Sequence, residues 1–104
     1  MEKLKVVVKK PQMAKEEVQM IDHSNEAIQS IVDGYYEAVT HPELGRDIII
    51  LCNENGMALN LPDNIWFGRY YILGTVIFTT ANEEGEFVDL TDEQIKRISS
   101  FLWD

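Results

Sequence analysis

Apolar residues recur along this chain with two periods, one near two and one between three and four. Leu4 to Lys9 is rich in β-branched side chains at Val6, Val7 and Val8, the composition of a strand. Pro11 closes the run, since proline has no amide to give a sheet. Glu17 to Ile21 is short enough to be its hairpin partner, with Val18 and Met20 on one face and Gln19 and Ile21 on the other. The connection from Lys10 to Glu16 is polar and is expected to be mobile. Ala27, Ile28, Ile31 and Val32 then recur at helical spacing. Asp22 or Ser24 can cap that helix, and Gly34 stands where a left-handed C-terminal cap is wanted. Tyr35 to Thr40 reads as extended.

Asp47 to Asn53 begins with a strand whose "IIILC" is apolar without alternation, the pattern of a segment buried on both faces. Asn55-Gly56 then carries a type I′ hairpin signal, because both residues tolerate positive φ. Met57 to Asn60 is the expected return strand, and Pro62, Asp63 and Asn64 the expected next turn. Ile65 to Leu73, "IWFGRYYIL", suits a bulged strand or an irregular aromatic plug around Gly68. Gly74 leads into the β-branched strand "TVIFTTA"; "NEEGE" is a tight connection and Phe87 to Leu90 a short extended piece.

The last helix has the clearest signature. Thr91 as N-cap and Gln94 three residues on form a capping box, with Leu90 and Ile95 as its hydrophobic staple. Asp92 and Glu93 occupy the first turn, where the helix dipole favours negative charge. Ile95, Ile98, Phe101 and Leu102 form the apolar stripe, and Trp103 is placed to anchor the end. The fold class expected is α+β: one mainly antiparallel twisted sheet with two helices packed against it, including a C-terminal helix. At 104 residues, residues 1–104 are read as a single domain.

Composition supports a folded, soluble protein, with 45% hydrophobic and 26% charged residues. No stretch approaches a membrane span, and the opening "MEKLKVVVKK" lacks the apolar length and cleavage site of a signal peptide. A cytoplasmic location and no membrane partner are therefore expected. The lone Cys52 agrees with a reducing compartment. Charge changes the picture more. Residues 1 to 15 carry net +4 and residues 16 to 104 net −13, for −9 overall. Six acids and no base fall between Asn82 and Glu93. Such a surface repels phosphates, so no direct nucleic-acid binding is expected; the basic first fifteen residues are the one exception to weigh. The acids serve solubility in the plain reading. In the sharper one they imitate a polyanion that occupies a nucleic-acid-binding enzyme.

Several chemistries lack their residues. There is no Gly-x-Gly-x-x-Gly, no phosphate-cradling loop ending in Gly-Lys-Ser/Thr, no Gly-x-Ser-x-Gly elbow and no Asp-x-Asp-x-Asp-Gly calcium loop. His23, His41 and Cys52 are too scattered for a zinc site without an added carboxylate. Cys52 could pair with either histidine as a nucleophile. It ends an apolar strand, however, which raises a thiol's pKa, and is read as a core cysteine. No cofactor, metal or catalytic residue is assigned, and the chain is read as a non-enzyme.

Two features remain. "LCNENGMALNLPDN" packs four asparagines, one glutamate and one aspartate into Leu51 to Asn64. Glu54, Asn55 and Gly56 are explained by a turn; Asn53 and Asn60, beside it, are not. In "IWFGRYYIL", Trp66, Phe67, Tyr70 and Tyr71 cannot all face inward from a strand, because alternate side chains point opposite ways. They form either ordinary core or a stacking or partner surface. A localised site is expected where Asn53, Glu54 and Asn64 approach this segment. Asparagine offers a donor and an acceptor together, and Trp66 and Tyr70 supply a flat apolar wall. The competing reading, which the turn composition favours, is that the three polar residues only satisfy turn backbones.

With these segments in hand, the chain resembles the DUF3846 family, small proteins of unassigned function from bacteria, phages and conjugative elements. The resemblance rests on a β-rich start, "VDGYYEAV" at Val32 to Val39, "LCNENG" at Leu51 to Gly56 and "LPDN" at Leu61 to Asn64. It continues through "GTVIFTTANEEGEFVDLTDEQI" from Gly74 to Ile95. The family's usual Gly-Gly-Tyr after the first helix is here Asp33-Gly34-Tyr35, and the segment after Asn64 is unusually aromatic. The family brings no catalytic residues; it implies a mobile-element gene in a bacterial cytoplasm. Three functions fit: a non-enzymatic binding or accessory module with an unidentified protein partner, an acidic decoy for a host nucleic-acid-binding enzyme, or a small-ligand or nucleotide binder.

Overall fold

The computed structural model describes residues 2–11 and 15–103. Residues 12–14 of the expected Lys10–Glu16 connection lie outside the described residues. The elements run β1 (Lys3–Lys9), β2 (Glu17–Asp22), α1 (Asn25–Val32), β3 (Tyr36–Val39) and β4 (Ile49–Asn53). They continue with β5 (Asp63–Trp66), β6 (Tyr71–Leu73), β7 (Val76–Ala81), β8 (Phe87–Val88) and α2 (Asp92–Trp103). The main sheet has the order β2-β1-β7-β4-β3, with β8 also pairing β7. Every pairing is antiparallel. β5 and β6 form a separate two-stranded sheet.

The α+β class is as the sequence indicates, and the two helices lie on opposite faces. Leu4, Val6, Val8, Leu51 and Ile77 face α1 through Ile28 and Val32. Val7, Ile50, Cys52 and Phe78 face the other way, toward Ile98 of α2 and Ile65 and Ile72 of the small hairpin. β4 therefore feeds both cores, which is why its sequence does not alternate. Ser24 caps α1 by accepting from the Ala27 amide at 3.1 Å. The capping box of α2 forms in both directions: the Gln94 amide donates to Thr91 Oγ1 at 3.1 Å and the Thr91 amide to Gln94 Oε1 at 2.9 Å. Trp103 does anchor the helix end, its indole N–H donating to Glu16 Oε1.

Three local expectations are corrected. Asn55-Gly56 is not a type I′ turn and Met57 to Asn60 is not a strand, since neither Asn55 nor Gly56 has positive φ. The segment instead winds through helix-like turns, with the Leu59 amide on the Asn55 carbonyl at 2.9 Å and the Leu61 amide on the Gly56 carbonyl at 3.0 Å. Gly56 allows a close approach there: a Cβ would meet Leu73 Cβ at 3.1 Å, so a larger residue would have to push Leu73 aside. Second, Pro62 to Asn64 is not a turn but the entrance to β5. Proline is tolerated because only its carbonyl is used, accepting from the Gly74 amide at 2.7 Å. Third, Asp33 rather than Gly34 takes the left-handed cap of α1, at φ 66°. Gly34 makes room for a side chain, since a Cβ there would fall 2.9 Å from Asn53 Nδ2.

α2 is locked to the sheet side by a polar cluster. Arg97 donates to Asp47 Oδ1 at 2.7 Å and to both oxygens of Glu93, while Gln94 Nε2 donates to Asp47 Oδ2 at 3.1 Å. The Arg97 hydrogen bond holds the Asp47 carboxyl below the usual carboxylate range. A carboxylate whose folded pKa is depressed stabilises above its unfolded value, near ~3.9, and that contribution is lost as pH falls through the folded pKa. Asp47→Asn should therefore lower the neutral plateau of the melting temperature against pH and flatten its acid limb, because the contribution lost is the one present above the unfolded pKa. An unaltered acid limb would remove Asp47 from the acid transition.

Candidate functional site

Residues Ile65 to Leu73 form the bulged hairpin β5–β6 on the α2 side of the main sheet. Gly68 takes φ 89° at the first position of the two-residue tip, a left-handed value that glycine adopts without strain. The Phe67 amide closes the tip on the Tyr70 carbonyl at 2.8 Å. Ile65 and Ile72 pair across the hairpin and turn into the core; Trp66 and Tyr71 pair next to them and turn outward. Phe67 turns inward in part, meeting His41 edge-on at 4.4 Å between ring centroids. His41 is buried and also packs edge-on against Phe101, and its Nδ1 accepts from the Glu43 amide at 3.1 Å. Three of the four rings are therefore exposed and Phe67 is half-buried; Tyr70 lies in the bend before β6 and stacks on Phe67 at 5.5 Å between centroids, so it departs from strand alternation.

A cleft flanks the hairpin on each side. The first, of about 210 Å³, lies between Tyr70 to Leu73 and the end of the main sheet, lined by Glu37, Cys52, Asn53, Glu54 and Met57. The second, of about 380 Å³, lies between Asn64 to Trp66 and the end of α2. The five sequence-predicted residues are split between them: Asn53, Glu54 and Tyr70 at the first cleft, Asn64 and Trp66 at the second.

The asparagines are heavily committed to the fold. Asn53 is 6% exposed; its Nδ2 donates to the Val32 carbonyl at 3.0 Å and the Asp33 carbonyl at 3.2 Å. Its Oδ1 accepts from the Asn55 amide at 2.7 Å. One side chain thereby ties the end of α1 to the end of β4. Asn64 is the extra residue where the β5–β6 register shifts, a bulge that aims its side chain sideways. Its Nδ2 donates to the Lys9 and Gly74 carbonyls at 2.9 and 2.8 Å, and its Oδ1 accepts from Lys9 Nζ at 2.7 Å. This is backbone satisfaction between segments distant in sequence, a wider role than turn chemistry. Glu54 is exposed at the rim.

Cys52 is a buried free thiol, pushed up to about 11 by burial and by the nearby Glu37 charge. It is protonated at neutral pH and suits packing rather than nucleophilic attack. His23 belongs elsewhere, its Nδ1 lying 3.7 Å from Glu2. Among the described residues no group of three His, Cys, Asp or Glu side chains could hold a metal ion, and no helix is long and apolar enough to cross a membrane. Sequence reasoning did not place Met57 and Glu37 at the first cleft, or Lys9, Glu43 and Trp103 at the second. A signal existed for Trp103, a tryptophan at a helix end; Lys9 figures in the sequence only as one charge of the basic first fifteen residues.

Fold and clefts together define a small α+β domain whose aromatic hairpin is flanked by two clefts. The family described as "Domain of unknown function (DUF3846)" matches residues 4–102, and the chain belongs to it. No curated protein and no solved structure matches the chain.

Proposed function

We propose that the chain is a non-enzymatic protein-binding module, an accessory protein of a phage or conjugative element, whose β5–β6 hairpin docks an as yet unidentified partner protein. One observation carries this reading: of the ten large apolar side chains exposed among the described residues, five lie at the hairpin and the turn beside it, Met57, Leu59, Trp66, Tyr70 and Tyr71. Met57 is 87% exposed and lines the first cleft with Tyr70 and Tyr71, and the Trp66 ring lies 5.0 Å from that of Tyr71. Arg69 sits at the tip between them. Trp, Tyr, Arg and Met are the residues enriched where protein partners bury an anchor. Glu37 and Glu54 border the first cleft, so a partner with a basic rim and an apolar centre is complementary.

The test is capture from cells of the native host, using the parent chain and a Tyr70→Ala/Tyr71→Ala double variant. A protein retained by the parent should be lost from the variant, with a dissociation constant at least about tenfold weaker, as expected for removing two aromatic anchors. Equal retention by a variant of unchanged melting temperature would refute the hairpin as the docking surface. Turnover by the purified chain in a hydrolase or nucleotide screen would refute the non-enzymatic part.

A second reading has its own support. All six acids between Asn82 and Glu93 are exposed, running from the β7–β8 turn onto the first turn of α2. A decoy using them would inhibit a nucleic-acid-binding enzyme, and salt would weaken the complex steeply. A hairpin-centred complex, with only Glu37 and Glu54 charged at the first cleft, would depend on salt less steeply.

A further inference from the structure

The chain has two tryptophans, and both line the second cleft. Trp66 and Trp103 are 52% and 47% exposed, so neither indole is fully covered by the fold. Phe101 and Leu102 contribute the apolar wall from the end of α2. A flat ligand in this space would cover indole surface that the fold leaves in water, and stacking would add to the gain from burial. The volume, about 380 Å³, lies within the range of small-molecule sites.

The polar side of the cleft is less usual. Lys9 is only 8% exposed, at the end of β1. Its ammonium donates to the neutral Asn64 Oδ1 at 2.7 Å and lies 5.9 Å from the Trp103 ring centroid. No described carboxylate makes an ion pair with it. A buried lysine ordinarily has an anionic partner, because desolvating the charge is unfavourable. Burial accordingly pulls its pKa below the ordinary lysine value, opposed by the Glu16 charge. Glu16 itself accepts from the Trp103 indole. Asn64, fixed by the Lys9 and Gly74 carbonyls, holds the ammonium in place. The cleft therefore has a preset cation beside two flat rings.

Glu43 also lines the cleft, and the chain carries net −9. Both oppose a ligand with several negative charges. We propose that the second cleft binds a planar aromatic acid bearing a single negative charge, its ring against Trp66 and Trp103 and its carboxylate on the Lys9 ammonium. The site is distinct from the Tyr70–Tyr71 cleft, so its failure would leave the partner-docking reading standing.

Both indole N–H signals report on this cleft in a proton–nitrogen correlation spectrum of the labelled chain. The probes are 2-naphthoate and its uncharged counterpart, 2-naphthalenemethanol. Titration with 2-naphthoate should shift both signals saturably, with a submillimolar dissociation constant. The alcohol should bind about tenfold more weakly, and Lys9→Met should weaken 2-naphthoate by a similar factor, as for loss of a charge-assisted contact. Glu43→Gln, an exposed substitution that spares the fold, should tighten 2-naphthoate roughly threefold by removing a like charge. No shift at millimolar 2-naphthoate would overturn the proposal. Equal affinity for acid and alcohol, or unaltered affinity in Glu43→Gln, would also overturn it, and both remain decisive if Lys9→Met does not fold.

Discussion

Ile98→Ala should destabilise the protein by about 2–5 kcal/mol in urea denaturation, the range for truncating a fully buried aliphatic side chain. Ile98 is 0% exposed and is the residue through which α2 reaches the core shared by Val7, Ile50, Phe78 and the small hairpin. The loss has two parts: the transfer energy of the missing carbons and the cavity they leave. That cavity has little scope to collapse, because α2 is held on its polar side by Gln94 and Arg97. The same geometry makes α2 integral, so deleting residues 91–104 should abolish cooperative unfolding. A truncated chain of equal stability, or an Ile98→Ala cost below about 1 kcal/mol, would show that the helix is peripheral.

Asn53→Ala should cost about 2–3 kcal/mol, well above an ordinary turn substitution, because it strands the Val32 and Asp33 carbonyls and frees the Asn55 amide. The stranded groups sit where α1 meets β4, so the end of α1 should lose amide-exchange protection before the sheet does. A shift of less than about 0.5 kcal/mol with weakened partner binding would mean the asparagine is held for recognition. Unchanged binding after correction for folded fraction would mean it is a staple.

The sequence was most legible where one local signal sufficed. Thr91 and Gln94 announced α2, and the unbroken "IIILC" announced a strand feeding two cores. It was least legible where a residue's role depended on something far along the chain. Gly56 looked like a turn glycine by its neighbour Asn55, yet its smallness answers to Leu73. Asn64 looked like part of a turn with Pro62 and Asp63, yet its partners are Lys9 and Gly74. The aromatic segment was rightly suspected of facing two ways, but one bulged strand and a complete hairpin share the same alternation. Of the five candidate residues, Asn53, Glu54 and Tyr70 line one cleft. The sequence could not divide them from Asn64 and Trp66, because the hairpin lies between the two groups.

β7 is the innermost strand of the sheet: Phe78 pairs with Val7 on one side and with Ile50 on the other. Its position late in the chain governs biosynthesis. While residues 76–81 are still inside the ribosome, β1 and β4 have no strand between them, and neither core can close. The β1–β2 hairpin can form early, since its two strands are neighbours in sequence, but only α1 is then available to cover one of its faces. Sheets closed by such distant pairings fold slowly compared with helical bundles. Ile48 to Cys52, destined for burial, is synthesised well before its neighbour, so the nascent chain carries an exposed apolar segment that a holding chaperone can grip.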